Sequence, residues 1–374
     1  MFFFITVFLI HALVNIYLFR KGWKTVPASR TAKILYGVVF FIFYSSFIIA
    51  MLGRNLLPLG MQKALYLPGT LWLGAMLYLT LWFLITDGIF LLQSLFLPIT
   101  KRFQPLRFRR IQVIAGYLLT ITLLAAGSYR FNHPVAVEKT IEIRKSGGKY
   151  QNLKIAAFSD LHLGVAVDKK RLQKYVQFIN RQSPDLILIA GDLVDNNVLP
   201  LNLENMHEEI NRLQAPLGVY MCLGNHEYLS GMEAGLKFLQ KTQIHLLIDQ
   251  VLSIEDSFWL IGRDDTHGNK PRQTLETLVA QTHPAQALIL IEHQPWQPNE
   301  GIENNIDLQF FGHTHRGQLW PLNYIADRLF PLSYGYRQTG ATHTYVSSGL
   351  GLWGPPCRIG TPSEIVIFNL QFKE

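Results

Sequence analysis

The sequence is poor in cysteine and in charged residues. Its two cysteines, Cys222 and Cys357, belong to no CxxC or CxxxC motif, which argues against a zinc ribbon or a dithiol redox site. A disulfide between them stays open, but two free thiols, with Cys222 in a buried strand, are favoured because free cysteine is usually buried. Charged residues make up 16% of the 374 residues and hydrophobic residues 49%. The chain is therefore too apolar for an ordinary soluble protein.

The apolar excess is concentrated in residues 1–127, which we predict to be a transmembrane region. Four stretches have the roughly 20 apolar residues that a membrane-spanning helix needs, and they cover residues 2–19, 34–52, 69–97 and 111–127. The first lacks a basic leader and a small-residue cleavage site, so we predict a retained span rather than a signal peptide. Two polar residues lie in these spans. We expect His11 to pack against a neighbouring helix and Asp87 to mark the end of the third span.

Basic residues in the loops between the spans predict the orientation. The second loop has only Arg54 and Lys63, whereas the first and third loops are rich in Lys and Arg, which marks them as cytoplasmic. The C-terminal half should then lie outside the cytoplasm. These clusters also account for most of the net charge of +8. No nucleic acid is expected as a partner, because the C-terminal half has no basic, aromatic-interleaved patch. The first and third loops contain Arg20, Lys21, Lys24, Arg30, Lys33, and Lys101, Arg102, Arg107, Arg109, Arg110.

The C-terminal half alternates short apolar runs with helical patterns. We predict a polar linker over residues 128–150 and one folded domain over residues 151–374. Alternation of strands and helices predicts an α/β core in which helices pack on sheets. The predicted strands are Leu153–Phe158, Leu186–Ile189, Gly218–Leu223, Phe258–Ile261, Ala287–Ile291, Asp307–Phe311, Thr344–Ser347 and Ile365–Leu370. The predicted helices lie near Lys169–Arg181, Leu203–Leu213, Glu233–Lys241 and Pro271–Thr282.

Five short motifs carry metal-binding residue types, and nearly all directly follow a predicted strand. Carboxylate, imidazole and amide groups without thiolate are typical of a mixed nitrogen and oxygen metal site. In an extended segment, Asp-x-His places both side chains on one face, and flanking glycines let the backbone turn. A single Asp-x-His or a lone histidine is common by chance, but the ordered set is not. The motifs are Asp160-Leu-His162, Gly191-Asp192-Leu-Val-Asp195, Gly224-Asn225-His226-Glu227, His293 and Gly312-His313-Thr-His315.

In these motifs the sequence resembles the calcineurin-like metallophosphoesterases, and in particular their bacterial membrane-associated branch. The strings SDLHLG, GDLVD, GNHEY and GHTHRGQ carry the resemblance, which extends from about Leu153 to the C-terminus. The resemblance implies a four-layer αββα sandwich with two mixed sheets. It also implies a dinuclear centre with two divalent metal ions, whose identity (Mn, Fe, Zn or Ni) stays open.

The resemblance also implies a role for each motif residue. One metal would be held by Asp160, His162, Asp192 and His315, and the other by Asp192, Asn225, His293 and His313. A metal-bridging hydroxide would attack phosphorus, and the catalytic positions would be Asp192, Asn225 and His226, with His226 as general acid or stabilising donor. Asp195 would support the ligands rather than be one, and Glu227 would orient its surroundings.

Four further residues have two interpretations each. Asp264 and Asp265 follow a predicted strand and could shape the site or belong to a solvated turn. Arg316 and Arg358 could contact a substrate phosphate or be surface charges.

Together, these features predict a membrane-anchored phosphoric ester hydrolase that acts on phosphomonoesters or phosphodiesters. The expected location is the bacterial cytoplasmic membrane, with the catalytic domain extracytoplasmic, and a lipid-linked substrate suits such an anchored enzyme. A nuclease is disfavoured, as is a protein Ser/Thr phosphatase, because Asn196-Asn197 follow the GDxxD motif where that branch has Arg-Gly. The alternative is a membrane receptor or transport component with a degenerate phosphoesterase-like binding domain. The oligomeric state stays open.

Overall fold

The computed structural model describes residues 2–54, 56–96, 105–268 and 271–373. The chain forms two compact units. One comprises Met1–Tyr129 with Gly354–Cys357, and the other comprises Arg130–Trp353 with Arg358–Glu374.

The first unit consists of long helices. They are α1 (Phe2–Trp23), α2 (Arg30–Leu52), α3 (Leu59–Leu95) and α4 (Leu106–Asn132). Within the described residues, α2, α3 and α4 are long and apolar enough to cross a membrane, so the predicted count of four spans is corrected to three. The first predicted span lies within the helix α1, but several of its side chains near the N-terminus are not among those that the structure describes. Three further residues lie outside the described part of the chain. They are Leu97, the predicted end of the third span, and Lys101 and Arg102 of the basic third loop.

Polar side chains of α1 face other helices of the same unit. The Asn15 amide donates to the backbone oxygen of His11 (2.8 Å) and accepts from Trp72 Nε1 of α3 (2.9 Å). The His11 ring stacks on Tyr44 of α2 with centroids 5.3 Å apart, which confirms that His11 packs against a neighbouring helix. Asp87 does not end the third helix, because α3 continues to Leu95.

The second unit contains two mixed six-stranded sheets. Their strand orders are β1-β12-β2-β3-β4-β5 and β10-β11-β9-β8-β7-β6. The strands are β1 (Val135–Ile143), β2 (Asn152–Phe158), β3 (Leu186–Ala190), β4 (Val219–Cys222), β5 (Ile244–Leu247), β6 (Gln250–Ile254), β7 (Phe258–Gly262), β8 (Leu288–Ile291), β9 (Leu308–Phe311), β10 (Gly335–Thr339), β11 (Thr342–Val346) and β12 (Glu364–Phe372). The helices are α5 (Lys169–Asn180), α6 (Leu199–Leu203), α7 (Met206–Ile210), α8 (Asn225–Leu229), α9 (Met232–Leu239), α10 (Leu275–Val279), α11 (Asn299–Glu303) and α12 (Asn323–Leu329).

Alternate side chains of the strands build separate cores. In β2, Ile155 points into a core shared with Phe310 of the other sheet, whereas Phe158 packs with Tyr175 of α5. The outer face of the second sheet packs against α10. All five residues of β3 are buried, which is typical of a parallel strand covered on both faces. The prediction of an α/β fold with two mixed sheets is confirmed.

The prediction of a linker over residues 128–150 is wrong where β1 forms. Val135–Ile143 pairs in parallel with β12 along nine residues, from Val135 with Glu364 to Ile143 with Phe372. The sequence of this strand is partly polar because the strand lies at the edge of its sheet and has one exposed face. Ile141 and Ile143, in contrast, are buried. The sequence interpretation also missed β5, β6 and β10.

Both cysteines are free and buried, in agreement with the interpretation of two free thiols. Cys222 ends β4. Burial raises the pKa of the Cys357 thiol to about 12 and also raises the pKa of the Cys222 thiol.

The parallel strands determine where the motifs lie. β2, β3 and β4 are parallel neighbours in one sheet, and β7, β8 and β9 are parallel neighbours in the other. Segments that follow parallel neighbours leave the same edge of a sheet, and this edge is where open α/β sheets gather their ligands.

Candidate metal centre

A first group of donors comprises Asp160, His162 and His315. Asp160 and His162 follow β2, and His315 follows β9. One potential ligand atom from each lies within 4.8 Å of the others. The two histidine Nε2 atoms are 3.1 Å apart, and His315 Nε2 is 3.5 Å from Asp160 Oδ1. Asp160 and His162 are buried and His315 is partly exposed, and this convergence of one carboxylate and two imidazoles is suited to a cation.

A second group comprises Asp192, His293 and His313, whose ligand atoms also lie within 4.8 Å of one another. They follow β3, β8 and β9 respectively. Asn225, the first residue of α8, adds an amide oxygen that lies 3.1 Å from His293 Nε2. Both sheets therefore contribute to this group.

Asp192 connects the two groups. Its Oδ2 atom lies 3.7 Å from His162 Nε2 of the first group and 3.2 Å from His293 Nε2 of the second. Its Oδ1 atom accepts a hydrogen bond from the backbone N–H of His226 (2.8 Å). A single carboxylate thus has one oxygen directed at both donor groups.

The backbone of these motifs is not extended. Asp160, His162, Asp192, His313 and His315 all have positive φ, between 47° and 70°. The sequence argument that alternate residues of an extended segment share a face is therefore wrong here, although the donors do converge. Non-glycine residues in this left-handed conformation are strained and persist only where the surrounding structure holds them. They are found mostly at functional sites.

Two motif glycines have different roles. Gly191 has φ of +74°, which permits the turn after β3. Gly224 has ordinary φ, but a Cβ there would lie 2.2 Å from Asp192 Oδ1. Its lack of a side chain therefore allows Asp192 to reach its position.

The protonation of the histidines reflects the local charge. Burial alone would lower the pKa of His293, but the carboxylates of Asp192 and Asp160 outweigh it and raise this pKa to about 10. Burial and the charge of His293 lower the pKa of His313 to about 3. The buried carboxylates thus favour positive charge between the imidazoles, as a cation would provide.

The donor set also meets the requirements of a divalent transition metal. The Nδ1 atom of His293 lies 2.7 Å from the backbone oxygen of Ala190, so Nδ1 carries a proton, and Nε2 is the nitrogen that would bind a metal ion after losing its own proton. Such a bond fixes the tautomer of a metal-binding histidine. Nitrogen and oxygen donors without thiolate suit manganese, iron, zinc or nickel.

Comparison with known proteins agrees with this arrangement. The family model described as calcineurin-like phosphoesterase matches residues 153–317. An uncharacterized metallophosphoesterase of Aquifex aeolicus is 32% identical over 67% of this chain and 97% of its own length. The chain belongs to the calcineurin-like phosphoesterase family.

Two other family members share less of their length with this chain. An uncharacterized metallophosphoesterase of Campylobacter jejuni is 35% identical over 60% of each chain. A protein of Danio rerio named as a transmembrane protein with a metallophosphoesterase domain is 30% identical over 70% of this chain and 63% of its own. This chain therefore spans less than two thirds of the length of both.

In this member of the calcineurin-like family, Glu227 organises the loop that carries Asp192. Its buried carboxylate accepts four backbone N–H bonds. Oε1 accepts from Leu193 (2.8 Å) and Val194 (3.1 Å), and Oε2 accepts from Asp192 (3.0 Å) and Gly224 (2.8 Å). Glu227 thus links two of the family motifs through one side chain.

His226 lies beside the first donor group. Its ring is 4.5 Å from that of His162, centroid to centroid, and its Nδ1 lies 2.7 Å from the backbone oxygen of Asp195. The Asp195 carboxylate lies 3.7 Å from His162 Nδ1 and 3.9 Å from His226 Nδ1. Asp195 therefore lies behind both histidines, on their Nδ1 sides.

Asp264 and Asp265 are buried rather than solvated. The hydroxyl of Tyr228 donates to Asp264 (2.6 Å), and the amide of Gln294 donates to both oxygens of Asp265 (2.9 and 2.8 Å). Gln294 directly follows His293. Both aspartates therefore brace segments that carry family motifs, and the interpretation as a solvated turn is wrong.

The two arginines are placed differently. Arg316 stacks on the ring of Tyr334 at 4.5 Å. Arg358 is fully buried, so it is not a surface charge, and its Nη2 donates to the backbone oxygen of Gly349 (3.0 Å). A Cβ on Gly349 would lie 2.9 Å from Asp160 Cβ. Arg358 thus supports the loop against which Asp160 packs, a role that no local sequence signal indicates.

Proposed function

We propose that the chain is a membrane-anchored phosphoesterase that uses two divalent metal ions to hydrolyse phosphomonoesters or phosphodiesters. The observation that carries this proposal is the pair of buried donor groups connected by Asp192. In the proposed division of the chain, residues 1–127 form the anchor and residues 151–374, extended by β1, form the catalytic domain.

In this proposal Asp160, His162, Asp192 and His315 hold one metal ion. Asp192, Asn225, His293 and His313 hold the other. When bound, the two cations would supply an acidified water and would neutralise charge on the phosphoryl oxygens. The chain's own contribution is to fix these donors in segments that follow the ends of five strands, β2, β3, β4, β8 and β9.

His226 is the proposed proton donor to the leaving oxygen. Its Nδ1 is occupied by the Asp195 carbonyl, and its backbone is fixed by Asp192, so only Nε2 is available for proton transfer. The side chain keeps 15% of its exposure, which leaves it accessible to a bound ester. A positioned imidazole of this kind is suited to act as a general acid.

The test is hydrolysis of an aryl phosphate and an aryl phosphodiester by the detergent-solubilised protein supplied with Mn²⁺. We expect Asp192→Ala to lose activity and to bind fewer than two metal ions, because both donor groups share this carboxylate. Asp256→Ala, which removes an exposed acidic residue, is the control. An inactive wild-type protein with fewer than two metals per chain would favour the alternative, a receptor or transport component with a degenerate domain.

We further propose that the catalytic domain lies outside the cytoplasm of a bacterial cell, anchored in the cytoplasmic membrane. The support is the excess of Lys and Arg in the first and third loops.

A lipid-linked phosphate ester is the proposed substrate class. An aromatic series leads away from the metal ligand His313. Its ring lies 5.8 Å from that of Phe330, and Phe330 lies 4.4 Å from Trp296, which is 44% exposed. Phe330 directly follows α12, whose Ile325 and Leu329 are also exposed. Exposed apolar side chains beside a catalytic group are suited to the apolar part of a lipid.

The substrate class is tested by comparing a dispersed phospholipid with a water-soluble aryl phosphate. We expect Ile325→Ser with Leu329→Ser to reduce hydrolysis of the lipid more than hydrolysis of the aryl ester. The matched control is Leu199→Ser with Leu203→Ser, two exposed leucines of α6. Equal loss on both substrates, or equal loss in the control, would contradict a lipid substrate.

A further inference from the structure

A cavity lies in the helical unit, within residues 13–113. It is bounded by the C-terminal part of α1, the last part of α3 and the first turns of α4, and it has a volume of about 570 Å³. Cavities of this size accommodate small ligands or the headgroup of a lipid.

Four basic residues line this cavity, against one acidic residue. They are Arg20, Lys21 and Lys24 of the α1 end and Arg109 of α4, and the acidic residue is Asp87. Lys21 is paired with Asp87. In the described part of the chain, Arg20, Lys24 and Arg109 have no hydrogen bond or ion pair from their side chains. The cavity therefore has an excess of three positive charges.

Asp87 connects the three helices around the cavity. Besides Lys21, its carboxylate accepts from the Tyr17 hydroxyl (2.9 Å) and from the Gln112 amide (3.1 Å). These partners lie on α1 and α4, while Asp87 lies on α3. The network therefore fixes the shape of the cavity and leaves the three other cations available for a ligand.

The remaining lining is apolar. Leu13 and Ile16 lie on α1 one to two turns before Arg20, and Phe90 and Val113 complete the wall from α3 and α4. Along α1 the lining thus changes from apolar to basic over about three turns. A ligand that fits this gradient has an anionic head and an apolar tail.

We propose that this cavity binds one anionic phospholipid. The phosphate would contact Arg20, Lys24 and Arg109, which donate charge-assisted hydrogen bonds, and the first acyl methylenes would lie on Leu13, Ile16 and Val113. Basic pockets between membrane helices are recognised sites for anionic headgroups. The lining of this cavity includes none of the proposed metal ligands, and its occupation does not depend on catalysis.

The test is native mass spectrometry of the full-length protein in detergent, with phosphatidylglycerol or phosphatidylcholine added. We expect one phosphatidylglycerol to be retained and phosphatidylcholine to be lost at lower activation. Arg20→Gln with Arg109→Gln should weaken phosphatidylglycerol retention by roughly tenfold or more, since each cation near anionic lipid contributes substantially. The matched control is Arg30→Gln with Arg107→Gln, which removes the same charge from the same two loops outside the cavity.

Three results would overturn the proposal. Equal weakening by the two double variants would mean general attraction to basic loops. Equal retention of both lipids would mean no headgroup recognition. Binding of glycerol 3-phosphate as tight as that of the lipid would mean a site for a soluble anion. If the cavity variant fails to fold, as judged by thermal unfolding in detergent, Lys24→Gln alone applies the same test with a smaller change.

Discussion

At the residue scale, the role of Glu227 could be predicted from the sequence only in part. Its place in a motif suggested an orienting role, but not that it accepts N–H bonds from three consecutive residues of the Asp192 loop and from Gly224. Each of its oxygens accepts two of these bonds. An amide cannot replace it, because either orientation would place an NH₂ group against two backbone donors.

We therefore expect Glu227→Gln to lower the free energy of unfolding by roughly 3 kcal/mol, because two buried backbone N–H groups would lose the oxygen that accepts their hydrogen bonds. Metal affinity should fall as well, because the Asp192 loop loses its support. Thermal unfolding and metal titration of the solubilised protein measure both effects. Glu233→Gln, which changes an exposed residue of α9 paired with Lys237, should change neither quantity, and an unaltered Glu227→Gln protein would contradict this role.

The two buried thiols give a second prediction at this scale. Burial raises the pKa of Cys357 to about 12 and that of Cys222 in the same direction, so the reactive thiolate is disfavoured in the folded chain. The thiols stabilise the fold below the unfolded thiol pKa of about 8.5, and this contribution is lost as the pH rises toward the folded value.

Iodoacetamide at about pH 8 should therefore leave both cysteines of the folded protein unmodified. Mass spectrometry should show two alkylated cysteines after unfolding in guanidinium without a reductant. A chain that needs a reductant before it reacts would instead contain a disulfide.

At the element scale, the short apolar strands and the motifs that follow them could be predicted because each strand is buried on both faces and each motif directly follows its strand. β3 and β8 are examples, since their apolar runs have no polar interruption. The edge strand β1 could not be predicted, because its consecutive Glu138, Lys139 and Thr140 resemble a linker. The left-handed turns at Asp160 and Asp192 were also hidden, since contacts from distant segments impose them.

The position of β1 changes how the second unit should be isolated. A fragment that starts at residue 150 lacks β1, leaves one edge of β12 unpaired and removes the buried side chains of Ile141 and Ile143. We expect it to be less stable than a fragment that starts at residue 130 by roughly 3 to 6 kcal/mol, the value of two buried isoleucines. Urea unfolding of both fragments measures the difference. Equal stability would show that β1 is dispensable.

At the scale of the whole molecule, the orientation in the membrane depends on the distribution of loop charges. Between the first loop and the second unit lie α2, α3 and α4, which are long and apolar enough to cross a membrane. Three crossings by these helices would place the first loop and the second unit on opposite sides of the membrane. From the positive-inside rule we therefore expect the second unit to lie outside the cytoplasm.

Alkaline phosphatase fused after the last residue should therefore be active, and a green fluorescent protein fused there should be dark. The same reporters fused within the first loop, after Thr25, are the control and should give the opposite results. A fluorescent C-terminal fusion with an inactive phosphatase fusion would place the catalytic unit in the cytoplasm.

The sheet that contains β1 is completed late in the chain. β1 comes directly after α4 in the chain, yet its partner is β12, and β12 lies between β1 and β2 in the sheet. During synthesis, β1 and β2 must remain without this partner until residues 364–372 have left the ribosome. Such non-local pairing delays folding and leaves strand edges open to misassembly. The donor groups on β2 and β3 should consequently acquire metal late, and chains stalled before β12 are the ones that cellular proteolysis would remove first.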